Sequence, residues 1–549
     1  MTSKFNSALK PSLTHMNQQK AFYPLLFSII LASGIYLGYK IQDRNAAKQG
    51  VYHNSENMSK LDYILRLIDA KYLDSVDQQK LYDNAISKML EDLDPHSVYL
   101  PPAEMSHEAE IMDGNFEGIG IEFSIKNDTI QVVSPVSGGP SEQAGVSAGD
   151  KIIKINDTLV AGIKISNELV MKQLKGPKGT KVRVTMLKNG SSKLITYTIK
   201  RDKIPLYSVD AGFMLDKQTG FIKINRFSKT TYQEFMEKLD SLVQKGMTRL
   251  VLDLRQNPGG FMEQATAIAD EFLDNNKTIV YTEGRTVPRT YDKAKSDGLF
   301  EKGKLAILID EGSASASEIL SGAIQDWDRG VIIGRRTFGK GLVQQEFPIG
   351  DGSSVRITIA KYYTPTGRSI QRPYEKDVSA YYDDISTRYK DGEVFNKDSI
   401  RQNKKEVYKT LLKGRTVYGG GGITPDIYIP LDTTMYNPFV MEVLGLSLMQ
   451  EFSYNYCIAH KNEFKGYVSL DQFEQQFHMD DKIYSEFTVY CMSHGARTAT
   501  KAYAESSKVF LNNKIKAYMA RQIWRNNGFY RVVSDDDKAV QRAIQELNK

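Results

Sequence analysis

A chain of 549 residues is long enough for three or four folding units, which excludes a single small module. Hydrophobic residues at 41%, charged at 25% and aromatic at 10% exclude a wholly disordered, collagen-like or multi-span membrane chain. The net charge of +6, from 72 Lys and Arg against 66 Asp and Glu, is too small an excess at this length to point to a nucleic-acid partner.

The first element along the chain is residues 21–39, which carry no charge and are mostly apolar. As a helix they would reach about 28 Å, against a hydrocarbon core of roughly 30 Å. Lys4, Lys10 and Lys20 precede the stretch without an acidic residue between them, while Lys40, Arg44 and Lys48 follow it. This predicts an N-terminal stub and membrane anchor over residues 1–50, spanning a bacterial-type inner membrane once, with the remainder in the periplasm. The alternative is a cleaved signal that leaves a periplasmic protein.

Residues 60–92 repeat apolar side chains at three- and four-residue spacing (Leu61, Ile64, Leu65, Ile68, then Leu81, Ile86, Met89, Leu90), which predicts two helices within a helical segment over 55–112. The texture then changes. Over 115–200, short alternating runs at 129–133, 151–155, 181–187 and 194–199 are separated by Gly, Pro, Asn and Asp, and predict a small strand-rich domain. Its opening sequence, Gly118-Ile119-Gly120-Ile121, is a Gly-x-Gly loop before a strand. Such a loop can aim consecutive N–H groups at a carboxylate while the strand edge accepts an extended peptide, although glycine there also serves a plain turn.

From 203 to 430 strands and helices alternate, predicting a layered α/β domain with strands at 220–225, 249–254, 305–309 and 331–333 and helices at 231–244, 261–273 and 317–327. Residues 374–417 are polar and read as an irregular, mobile insertion, and 431–549 read as a mainly helical extension of unknown role.

Three stretches of the α/β domain carry chemistry. Residues 310–328 place Ser313, Ser315 and Ser317 between small residues where a helix begins, after the strand 305–309. A hydroxyl there is fixed by the strand end and faces the helix's first N–H groups, which can hold an oxyanion. The same residues also fit the S-x-x-E capping box from Ser315 to Glu318. Lys340 lies between Gly339 and Gly341 after the strand at 331–333. No His or Cys occurs between 108 and 456, so a lysine amine is the base available to activate a serine. At an unperturbed pKa of about 10.4, only about one amine in a thousand is neutral near pH 7.4, so burial or a nearby cation must lower that value by roughly three units. Gln344 could orient the amine without adding negative charge; the bland alternative is an exposed turn lysine and a surface glutamine. Residues 334–341 nearly match the phosphate-binding loop, but Gly341 replaces the required hydroxyl residue and strand-like sequence follows instead of a helix. Finally, 249–261 run from a strand into Asn257-Pro258-Gly259-Gly260, whose N–H groups can form half of an oxyanion hole or simply make a tight turn.

Taken together, Leu93-Asp94-Pro95-His96-Ser97, the 118–121 loop, the 254–260 turn, 313–318, 337–341 and 421–426 resemble, in this order, the C-terminal processing peptidases, also called tail-specific proteases. The resemblance covers roughly residues 58–430. It implies a crotonase-like α/β core with an inserted PDZ domain that binds a substrate's C-terminal carboxylate through Gly118, Ile119, Gly120 and Ile121. It implies Ser315 as nucleophile, Lys340 as general base and Gln344 as its orienting partner, the family's spacing of 25 singling out the middle serine. Ala316 N–H and a glycine N–H, Gly260 ahead of Gly259, would form the oxyanion hole. The expected protein is an exported serine endopeptidase that recognises free C-termini, works through an acyl-enzyme, and needs no metal or organic cofactor. The rival is a membrane-tethered, non-catalytic PDZ scaffold.

The remaining expectations concern the tail. Residues 505–526 are amphipathic and read as a helix packed on its own core; the same face would serve a homo-oligomer, an adaptor protein or the membrane. Cys457 and Cys491 could pair in an oxidising compartment, and His460 and His478 read as structural.

Overall fold

A computed structural model describes residues 55–549 except 137, 190, 275, 375–377 and 401–404. The expected membrane segment at 21–39 lies outside these; among the described residues no helix is long and apolar enough to cross a membrane. The chain divides into one unit up to Ala85 and a second from Ile86 to Lys549. The first unit carries the helix Ser55–Lys71 and the start of Gln78–Glu91, the helical pair that the apolar spacing predicts.

In the second unit the α/β core is a six-stranded sheet in the order Val209–Met214, Thr219–Ile224, Arg249–Asp253, Lys304–Ile309, Val331–Gly334, Ile427–Tyr428. The first pair is antiparallel and every other pair is parallel. The sheet is therefore covered on both faces, as the unbroken apolar runs at 250–252 and 305–309 require. On one face lie the helices Thr231–Gln244, Met262–Asp270 and Ala316–Asp326, whose Phe235, Leu239, Ile268, Leu320 and Ile324 join the main core. On the other lie Ala539, Val540, Ala543 and Leu547 of the last helix, Lys538–Leu547, against Phe221, Val251, Ala306 and Leu308. The extension beyond 431 thus supplies a layer of the core, in addition to its own helical cluster around Phe473, Phe487, Leu511 and Ile515.

A second, antiparallel sheet stands beside the first, with Leu342–Pro348 and Val98–Leu100 paired to the long strand Ser354–Tyr363. The small β domain is a third sheet in the order Ile121–Lys126, Thr129–Pro135, Lys151–Ile155, Lys181–Leu187, Leu194–Lys200, so Ile121–Lys126 is an edge strand. It is entered and left through one antiparallel pair, Asn115–Gly118 with Asp202–Pro205.

One expectation needs correction. Residues 374–417 are not an irregular insertion: they hold the helix Val378–Lys390 and the hairpin Val407–Lys409 with Thr416–Tyr418, and they bury Tyr381, Arg388, Glu393 and Val417. This segment packs through charge and aromatic contacts, leaving little apolar periodicity to read. Arg388 donates to the carbonyls of Thr337 and Phe338, at 2.7 and 3.2 Å, and Arg372 lies 3.9 Å from the ring centres of both Phe338 and Tyr381. Cys457 and Cys491, whose pairing the sequence leaves open, are free thiols, each pushed up to about 12 by burial.

Candidate active site

Three loops leave the C-terminal ends of three neighbouring parallel strands, where a layered α/β sheet opens a crevice. They are the 255–260 turn, the 310–315 loop and the 335–341 loop, and together they line one cavity of about 1070 Å³. Ser315, Ala316, Gly259, Gly260, Lys340 and Gln344 all face it.

The three serines separate by their partners. Ser313 donates to the Leu254 carbonyl at 2.8 Å and Ser317 to the Asn257 carbonyl at 3.0 Å, and both are fully buried, so their hydroxyls fasten the loop to the neighbouring turn. Ser315 is the one of the three that opens on the cavity. Its backbone is strained, with φ of 53° and ψ of −113°, outside the small left-handed region that non-glycine residues visit.

Glu318 holds that strain in place. The capping box that the sequence pattern offers for Ser315 and Glu318 is present. The carboxylate does more than cap, however. One oxygen accepts the N–H groups of Ser315 and Lys340 at 2.8 and 2.9 Å; the other accepts Gly339 N–H at 2.8 Å and the Thr337 hydroxyl. Burial pushes the Glu318 carboxyl up and these donors pull it back. Opposite it, the buried Tyr362 hydroxyl contacts the carbonyl oxygens of both Ser315, at 3.1 Å, and Lys340.

The Lys340 amine is lowered to about 8, first by burial and then by the Arg356 guanidinium, against the opposing pull of Glu318, Asp94 and Glu108. Arg356 is itself held between Glu108 and Glu346. The cation that adds to burial in lowering this amine is therefore an arginine on the strand Ser354–Tyr363, not foreseen from sequence. Lys340 acts in turn on His96: burial, then the field of Lys340, hold its imidazole down at about 4, so it stays neutral at pH 7, bonded to the Tyr381 hydroxyl at 2.7 Å. Among the described residues no hydrogen bond joins the Ser315 hydroxyl to the Lys340 amine. Gln344 lines the cavity with them, but its amide donates to Thr358 at 3.4 Å, and Thr358 donates on to Asp94 at 3.0 Å.

The turn at 255–260 reaches Ser315 at close range. A Cβ on Gly259, whose φ is 102°, would come within 2.8 Å of Ser315 Cβ, and one on Gly260 would overlap the Phe227 carbonyl. Gly259 N–H is already taken by the Asn257 side chain at 2.9 Å. Gly260 N–H donates to no acceptor among the described residues and so stays available.

In the small β domain, Ile119 and Gly120 bend between two strands, with Gly120 at φ of 71°. Their carbonyls are occupied, Ile119 by Ser141 and Gly120 by Val136, while their N–H groups have no acceptor among the described residues. The edge strand Ile121–Lys126 follows directly.

Comparison with known proteins agrees with this layout. The Peptidase family S41 profile matches residues 218–380, the PDZ domain profile 118–199, and the profile of the Activating protease CtpB N-terminal domain 29–103. Residues 439–526 match a family of unknown function. The carboxy-terminal processing protease CtpA of Bacillus subtilis (strain 168) is 32% identical over 411 residues, covering 73% of this chain and 87% of its own. A carboxy-terminal-processing protease of Bartonella bacilliformis is 36% identical, covering 62% and 80%. Among solved structures, a photosystem II D1 C-terminal processing protease is 26% identical, covering 67% and 86%, with a TM-score of 0.33.

Proposed function

Because the chain belongs to the carboxy-terminal processing proteases of peptidase family S41, and is a serine-type peptidase with a PDZ domain, we propose that it cleaves protein substrates captured by their free C-termini, with Ser315 as nucleophile and Lys340 as base. Neutral Lys340 Nζ accepts the Ser315 hydroxyl proton as Oγ adds to the peptide carbonyl. The tetrahedral oxyanion is held by Ala316 N–H and Gly260 N–H. Breaking the C–N bond, with the lysine proton passing to the departing amine, leaves an ester on Ser315. Water then loses a proton to the same lysine, attacks the ester and restores the hydroxyl. Gln344 would orient the amine once substrate draws it from Thr358.

The observation that carries this reading is the meeting of Ser315, a Lys340 amine lowered to about 8, and an unengaged Gly260 N–H in one cavity. The unengaged N–H groups of Ile119 and Gly120 support capture of a terminal carboxylate beside an open strand edge. Export, with residues 21–39 as anchor or cleaved signal, rests on their uncharged sequence.

The test is digestion of an unfolded polypeptide presented with a free or an amidated C-terminus. The wild-type chain should cleave the free form faster, and Ser315→Ala and Lys340→Ala should cleave neither. Equal cleavage of both forms would remove the chain-end claim; equal cleavage by all three proteins would remove the Ser/Lys claim.

A further inference from the structure

The 255–260 turn is held from behind by a residue far outside the peptidase match. Arg255 stands at the start of the turn, and its guanidinium forms a fork on Asp253, with Nε–Oδ1 at 3.0 Å and Nη2–Oδ2 at 2.6 Å. The same Nη2 lies 2.8 Å from Oδ2 of Asp537. Lys223, on the neighbouring strand, reaches Asp253 at 3.4 Å and donates to the Arg255 carbonyl. Arg255 is thus fixed at both its backbone and its side chain. Gln256 follows at φ of 58°, and Asp310 holds its N–H at 2.8 Å. With residues 255 and 256 fixed, the path of the chain into Gly259 and Gly260 has little freedom left.

Asp537 is itself rigidly mounted. It caps the last helix, accepting N–H groups of Ala539 at 2.9 Å and Val540 at 3.2 Å, and that helix buries Ala539, Val540, Ala543 and Leu547 against the core sheet. An ion pair between two groups held this firmly costs little side-chain entropy and transmits position well, unlike a pair of exposed, mobile side chains.

We propose that Asp537 is a positioning residue for peptide-bond cleavage: its charge holds Arg255, and through Arg255 it sets the turn that presents Gly260 N–H. This rests on the oxyanion role proposed above for that N–H. It makes the C-terminal extension part of the catalytic apparatus.

The experiment uses the full chain and steady-state cleavage of a peptide with a free C-terminus. Asn caps helices about as well as Asp, so Asp537→Asn keeps the cap and removes the negative charge that faces Arg255. Expected is a fall in kcat of about tenfold with KM within about twofold, because a misplaced oxyanion donor is felt in the transition state. Asp537→Glu should recover most of kcat. Wild-type kcat in Asp537→Asn would overturn the proposal. Should Asp537→Asn melt below the assay temperature, Asp537→Ser, another capping residue, is compared with Asp537→Glu in the cold; equal kcat in those two overturns it, and loss in the serine variant alone supports it. Ser315→Ala separates the two readings: if it stays active, the Ser315 assignment fails, whereas an inactive Ser315→Ala beside a fully active Asp537→Asn sinks this inference alone.

Discussion

Ser315 and Lys340 share one carboxylate oxygen of Glu318, which accepts their backbone N–H groups at 2.8 and 2.9 Å. The proposed nucleophile and base are therefore registered to each other through their main chains, whatever their side chains do before substrate arrives. Glu318→Gln keeps the shape but turns an acceptor toward a donor, setting N–H against N–H. Expected is a loss of about 2 kcal/mol in stability, from an unpaired buried group, together with a large fall in kcat. Thermal melting and steady-state kinetics on the same preparation check both.

The amine at 340 fixes the pH profile. A lysine base works only when neutral, so kcat/KM should climb tenfold per pH unit in the acid range and level off above about 8. At that value about one amine in five is neutral at pH 7.4, against about one in a thousand for a free lysine. Because Arg356 is the cation that lowers it, Arg356→Gln should move the rise toward higher pH. An unchanged profile in that variant would assign the lowering to burial alone.

Gly259→Ala tests the fit of the turn against the nucleophile. The added methyl would meet Ala314 O and Ser315 Cβ at 2.8 Å each, in a backbone conformation that alanine avoids. Cleavage should drop by about a hundredfold or more, as when an oxyanion donor is lost. Binding of a C-terminal peptide to the PDZ domain, measured by calorimetry, should be unchanged.

The thiols give an inexpensive check on the helical extension. Cys491 is fully buried and Cys457 partly so, with both held up at about 12 by burial. A thiol reagent should find two free sulfhydryls after denaturation and react only slowly with the native protein. Reductant should leave the melting temperature unchanged, since no disulfide constrains the unfolded chain.

What was legible in the sequence is what local pattern encodes. Alternation at 181–187 and 194–199 marked adjacent strands, and the strands at 249–254 and 305–309 announced themselves as unbroken apolar runs. Motif spacing singles out Ser315 and Lys340 as candidates, and the structure adds a physical reason to prefer the middle serine, in the backbone partners of Ser313 and Ser317. Groups that act across long separations stayed hidden. Glu318 read as a helix cap because its other donors come from 337–340; Arg356 and Tyr362 belong to a strand with no motif; Asp537 meets Arg255 across almost three hundred residues of chain. The helix at 378–390 was missed because it is secured by Arg388, Tyr381 and Arg372, whose polarity reads as solvent exposure.

The most direct measurement is to mix the enzyme with a cleavable peptide, quench in acid during turnover, and map the protein by mass spectrometry. The account predicts an adduct with the mass of the peptide's N-terminal fragment on Ser315, absent in Ser315→Ala and strongly reduced in Lys340→Ala. An adduct on another residue, or undiminished turnover in Ser315→Ala, would contradict it.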